Sequence, residues 1–134
     1  MANSAIFTVS TNSAVAANGI VPLGTVIRRF GCNTALEGDS ITCYGRGYYE
    51  VNASVTMTPV AAGTIGVQLY QDGVAVPGGM AYATGTAGEP LSLSFPALVR
   101  QTQCGATSLS LRLHSGTATT GATVSNCSVT VEKV

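Results

Sequence analysis

The sequence predicts an all-β protein, and three observations predict it. Apolar residues recur at every second position in one segment after another, the period of a strand with one face in a core. Turn residues interrupt these segments at roughly ten-residue intervals, the spacing of a sandwich or barrel. The composition agrees: 17 Thr, 12 Ser, 15 Val and 16 Gly stand in 134 residues against one Lys and one His. That is a hydroxyl-rich β surface, without the Glu and Lys that coat amphipathic helices.

The elements follow in chain order. Ala5-Ile6-Phe7-Thr8-Val9 alternates only weakly, and Ile20 to Leu23 is a short apolar stretch after it. Thr25 to Phe30 reads as a strand carrying the one basic doublet, Arg28-Arg29. Successive strand side chains point to opposite faces, so one of the two arginines is expected toward the core side or a partner, at a subunit interface. From Tyr49 to Met57 the odd positions are apolar and the even ones polar. Ile65, Val67 and Leu69 alternate with Gly66, Gln68 and Tyr70, and Leu91, Leu93 and Phe95 with Ser92, Ser94 and Pro96. Leu109, Leu111 and Leu113 alternate with Ser108, Ser110 and Arg112, and Val129 and Val131 close the chain beside Ser128, Thr130 and Glu132. Turns are expected at Ala62-Gly63, Gln71-Asp72-Gly73, Pro77-Gly78-Gly79, Gly85 to Pro90 and Cys104-Gly105, and a long loop over Gly116 to Val124. Residues 1–24 are expected to form an N-terminal strand or an anchoring arm, and residues 25–134 the main domain.

Charge narrows the function. Six Lys+Arg balance six Asp+Glu, and charged residues make up 9% of the chain. Nucleic acid is therefore not expected as a partner, because phosphate binding needs a surplus of Lys and Arg. No stretch is long and apolar enough to span a bilayer, and Met1 to Thr8 has no basic residue ahead of an apolar run, so neither a membrane partner nor a secretory leader is expected.

The residues that carry chemistry are few. The four cysteines, Cys32, Cys43, Cys104 and Cys127, have no close pair of the zinc or redox type, and His114 supplies no second nitrogen ligand. Two disulfides or four buried thiols are both open on composition. His114 reads as an exposed strand-end histidine. Glu37 and Asp39 share one loop that would supply only part of a calcium shell of six to eight oxygens. Glu50, in the middle of a long strand, reads as a salt bridge or an interface contact, and the sequons Asn52-Ala-Ser and Asn126-Cys-Ser read as chance. There is no phosphate loop, nucleophile elbow or Cys/His pairing. No cofactor and no enzyme activity are expected; a sugar-active enzyme is the reading kept from that class.

Gly47-Tyr48-Tyr49-Glu50-Val51, followed at strand spacing by Val67 to Val76 with the Asp72-Gly73 turn, resembles the C1q/tumour-necrosis-factor jelly-roll superfamily. Gly38 to Cys43 fits the short strand that precedes that motif. The resemblance covers residues 38 to 76, and the rest agrees in strand order. Two departures stand out: Cys104-Gly105-Ala106 replaces the family's Gly-Asp turn, and Ser128-Val129-Thr130-Val131 replaces an aromatic-rich last strand.

The resemblance implies an all-β jelly-roll sandwich of about eight to ten antiparallel strands, assembled as a homotrimer. Tyr48, Glu50, Asn52 and Ser54 would then lie on the outer face that meets other subunits. It also implies that the first strand, taken as Thr25 to Phe30, lies antiparallel to the last, Ser128 to Val134. The second, Ser40 to Cys43, would lie antiparallel to the seventh, Ser108 to Leu113. Cys32 would then neighbour Cys127, and Cys43 would neighbour Cys104, as disulfide candidates. In function the resemblance implies a structural or binding module, first a phage virion component: a capsid decoration, head-fibre or tail-fibre head protein at the virion surface. The alternative is a bacterial cell- or spore-surface adhesion or carbohydrate-binding domain. Its partners would be other virion or surface proteins, reached through the N-terminal segment, and a glycan.

Overall fold

Two sheets divide the strands that this alternation produces. The structure, a computed structural model, describes residues 4–16, 18–102, 105–115 and 121–133. β1 (Ser4–Val15), β2 (Thr25–Phe30), β5 (Gly47–Pro59), β8 (Leu91–Gln101) and β10 (Ala122–Lys133) form one sheet in the order β2-β1-β10-β5-β8. β3 (Thr34–Glu37), β4 (Ser40–Tyr44), β6 (Gly63–Gln71), β7 (Val74–Gly85) and β9 (Ala106–Ser115) form the other in the order β3-β4-β9-β6-β7. Neighbours run antiparallel throughout, so the architecture is a jelly-roll sandwich.

The inward positions are the expected ones in the central strands. β5 buries Tyr49, Val51, Val55 and Met57 while Tyr48, Glu50, Asn52 and Ser54 stay exposed. β6 supplies Ile65, Val67 and Leu69, β9 supplies Leu109, Leu111 and Leu113, and β10 supplies Val124, Val129 and Val131. Burying each of the larger aliphatic side chains, such as Leu69, Leu111 or Ile65, is worth about 1.5–3 kcal/mol relative to exposure. The Tyr49 ring lies in the core and its hydroxyl donates to the carbonyls of Tyr44 (2.6 Å) and Gly45 (3.0 Å), so its polar end is satisfied.

Three expectations change. The strand antiparallel to β10 is β1, not Thr25 to Phe30, and β2 instead pairs with the far side of β1. Hydropathy marks β1 only weakly because its two faces are nearly alike: Ser4, Ile6, Thr8 and Ser10 point inward, whereas Ala5, Phe7 and Val9 are half-exposed on the outer face. Pro77-Gly78-Gly79 is not a turn but part of a bulge within β7, where the register with β6 shifts between Gln68 and Tyr70. The buried Gln68 amide fills that bulge and donates to the carbonyls of Leu69, Val76 and Gly79 at 2.9, 3.0 and 3.1 Å. Finally, Ala122 to Val124 belong to β10, with Val124 buried, and not to the loop expected over Gly116 to Val124, whose residues 116–120 lie outside the described residues.

The connection from β1 to β2 crosses between the sheets. Val21 N–H donates to the Leu111 carbonyl and Leu113 N–H to the Gly19 carbonyl, each at 2.9 Å, placing this segment beside β9. Val21 and Leu23 bury their side chains there, and β2 then returns to the first sheet. The expected hairpin at Asp72-Gly73 is present, with both residues at positive φ (51° and 83°). Asp72 fastens it to β9: its carboxylate accepts from Ser108 N–H at 2.9 Å and from the Thr107 hydroxyl at 2.5 Å.

Candidate interaction face

The long strands set the outer face of the first sheet in straight rows. One row runs Phe30, Ala5, Glu132, Glu50, Leu98 across β2, β1, β10, β5 and β8; the next runs Arg28, Phe7, Thr130, Asn52, Pro96. A third places Val9, Ser128, Ser54 and Ser94 side by side. The expected face residues Tyr48, Glu50, Asn52 and Ser54 thus come together on one surface, joined by the outward apolar side of β1. A shallow groove of about 320 Å³, lined by Asn52, Ser54, Ser94, Pro96, Ser128 and Thr130, runs across it.

The face has a definite chemistry. Leu98 and Tyr48, 60% and 46% exposed, add large apolar groups to this face. The Arg100 guanidinium stacks over the Tyr48 ring at 5.6 Å, fixing the ring in place. Glu50 and Glu132 stand directly opposite each other in adjacent strands, an unfavourable like-charge pair. Asn52 Nδ2 donates to Glu50 Oε1 at 3.5 Å, a long contact that offsets little of it. Such a surface suits cover by a protein partner that brings apolar area and a cation.

The remaining candidates are placed as follows. All of β2 is exposed, and the two arginines of the doublet take opposite faces. Arg28, opposite Phe7, lies on the outer face and donates to its neighbour Ile27, whereas Arg29, opposite the inward Ile6, lies on the core side and its Nε donates to the Thr34 carbonyl at 2.6 Å. The Glu37 carboxylate accepts from the Tyr44 hydroxyl at 2.6 Å, and among the described residues no group of three His, Cys, Asp or Glu converges on a metal position. His114 is half-buried near the end of β9, its ring 5.6 Å from that of Tyr82.

Cys32 and Cys127 are free thiols, and the topology keeps them apart. Cys32 follows Phe30, which faces Ala5, whereas Cys127 faces Ser10 farther along β1. At about 3.3 Å per residue the two lie on the order of 17 Å apart along the sheet, beyond the roughly 7 Å that a bridge allows. The pairing rested on Thr25 to Phe30 as the partner of the last strand, a place that β1 holds. β4 and β9 do pair antiparallel, with Tyr44 opposite Ala106, while Cys104 itself lies outside the described residues. Burial pushes the Cys43 thiol from 9.0 up to about 12, helped by the Asp72 carboxylate, and burial takes Cys127 from 9.0 to about 11. Both behave as small apolar core side chains.

Known proteins share this fold along its whole length. The chain superposes on murine APRIL, of the tumour-necrosis-factor family, with a TM-score of 0.74 at 12% identity over 98% of each chain. It superposes on the globular domain of zebrafish complement 1qA protein with a TM-score of 0.72 at 9% identity, over 98% and 97% of the two chains. The phage PRD1 vertex protein P5 gives 0.67 at 12% identity, over 100% and 99%. No family model matches the sequence, and no curated protein matches it significantly. The fold is therefore the C1q/TNF-like jelly roll expected from residues 38 to 76. Identities this low establish the architecture and leave function to the surfaces.

Proposed function

We propose that the chain is a structural and binding module that assembles as a homotrimer through the outer face of its first sheet and serves at a virion surface. The observation that carries the assembly is β1: its inward positions are Ser4, Ile6, Thr8 and Ser10, three of them small hydroxyls, while it presents Ala5, Phe7 and Val9 outward. A strand facing only solvent has no use for that arrangement, whereas one between a core and a partner subunit does. Tyr48, Leu98 and the uncompensated Glu50–Glu132 pair extend the same surface. The virion reading, as a capsid decoration or a fibre-head protein, is supported by the full-length likeness to a phage vertex protein and by a neutral, hydroxyl-rich exterior.

Light scattering at micromolar concentration tests the assembly, with three times the 13.5 kDa chain mass expected and a monomer contradicting it. Mass spectrometry of purified phage particles from the encoding strain tests the location. Recovery instead from washed cells or spores would favour the surface-adhesion alternative.

A further inference from the structure

The second sheet has an outer face of another kind, centred on a glycine. Gly66 stands between Tyr82 of β7 and His114 of β9 in one cross-strand row. A Cβ there would come within 2.2 Å of Tyr82 Cβ and 2.1 Å of the Ala81 carbonyl, so no other residue fits. With no side chain between them, the Tyr82 and His114 rings meet at 5.6 Å, tilted by 43°. In the next row Arg112 faces Gln68, and beyond it Tyr70 faces Ser110. The Arg112 guanidinium lies over the Tyr70 ring at 5.1 Å. The segment pinned to β9 through Ile20 brings Asn18 alongside. Asn18, Gln68, Tyr70, Arg112, Leu113 and His114 line a depression of about 130 Å³, and Tyr82 stands beside it across Gly66.

We propose that this depression binds a carboxylate-bearing sugar, its acid group on Arg112 and its ring against Tyr82. Arg112 is exposed, forms no ion pair and donates no hydrogen bond among the described residues. β6, β7 and β9 carry no carboxylate, and the residues Gly116 to Thr120 add none in sequence. A guanidinium lying over an aromatic ring keeps N–H groups available, and two parallel N–H···O bonds to a carboxylate are its strongest pairing. Tyr82, 53% exposed, offers a ring face for the apolar side of a pyranose, while Asn18, Ser110 and His114 supply groups for hydroxyls. An extended acidic peptide fits less well: β6 and β9 are interior strands whose ladders are taken on both sides, so recognition here rests on side chains alone. The site lies within one protomer and does not depend on the trimer.

Titration of the intact protein with methyl glucuronide and N-acetylneuraminic acid, followed by amide NMR shifts, tests the proposal. Methyl glucoside, inorganic phosphate and acetyl-aspartate serve as comparison ligands. At least one acidic sugar is expected to saturate and to bind at least about tenfold more tightly than each comparison ligand. Arg112→Gln should remove at least about tenfold of that affinity. Tyr82→Ala should weaken the sugar severalfold, and both variants should keep the wild-type melting temperature because both side chains are exposed. Failure of both acidic sugars to bind, phosphate or acetyl-aspartate binding equally well, or an unchanged affinity in Arg112→Gln would each overturn it.

Discussion

The two sheets turn different faces to their surroundings although one rule, the alternation of side chains along a strand, generates both. The first sheet presents rows of Ser, Thr and Asn, edged by Phe7, Val9, Tyr48 and Leu98 and crossed by a shallow groove. Among the described residues its register shifts only between β1 and β2 at Phe7/Thr8 and in β10 at Val124/Asn126. The second is notched at Gly66 and bulged at Val76 to Gly79, and it holds its cation and its rings in pairs: Arg112 on Tyr70, Tyr82 beside His114. Regular strands make a surface that a second protein covers by shape. An absent side chain and a bulge make a recess that holds something small. Under the two proposals above, regularity and its local failure serve different uses in one sandwich.

The comparison can be broken most severely by removing part of one sheet. Deleting residues 1–18 removes β1, which lies between β2 and β10, and should leave no folded protein by circular dichroism and amide NMR dispersion. A smaller and more selective effect is expected from equivalent serines at the centres of the two faces. Ser54→Arg should weaken trimer association by at least about 100-fold, since it places an unpaired charge in the proposed contact. Ser110→Arg should leave the mass in solution unchanged; equal effects from both would mean that the faces are not distinguished in this way.

The interior that the faces share should reveal itself in alkali. Cys43 and Cys127 are held up to about 12 and about 11 from 9.0, and burial raises the Tyr49 phenol from 10.0 to about 12. The unfolded chain releases these protons near their ordinary values while the folded chain keeps them. Stability contributed by the neutral groups is therefore complete below about pH 9 and falls as pH rises toward 11–12. Urea midpoints across pH 7–11 would show this, and a flat profile would contradict it. The smallest effect concerns Thr8, whose buried hydroxyl has no hydrogen-bond partner among the described residues. Thr8→Val keeps the shape and should raise stability by about 1 kcal/mol in the same urea assay.

How much of this could be read from the sequence depended on whether polarity and burial agreed. In β5 and β9, and at most positions of β6 and β8, they agree, so Tyr49, Val67, Phe95 and Leu111 announce an inward face and Tyr48, Glu50, Asn52 and Ser54 an outward one. In β1 they disagree: beside Ile6, the hydroxyl side chains of Ser4, Thr8 and Ser10 sit inward where their bulk fits, while Phe7 and Val9 lie on the outer face. The strand order followed that misreading, and the expected neighbourhood of Cys32 and Cys127 went with it. Pro77-Gly78-Gly79 carries ordinary turn residues, and only the distant Gln68 amide turns them into a bulge. The Arg112 recess had one local sign, a glycine at the centre of an otherwise regular strand, whose meaning depends on strands brought beside it from elsewhere in the chain.

The pairing of Ser4 with Lys133 also governs how the protein comes into being. A sheet in which β1 pairs with β10 cannot be completed until β10 has been made. Until β10 arrives, β1 and β5 each lack the strand that lies between them, and both offer open edges to any passing chain. Closing contacts across nearly the full length of the sequence places this topology among the slow folders, in the range of milliseconds to seconds. Newly made copies therefore meet one another while edges remain open, and the rate of chain closure relative to their concentration decides between ordered assembly and aggregation.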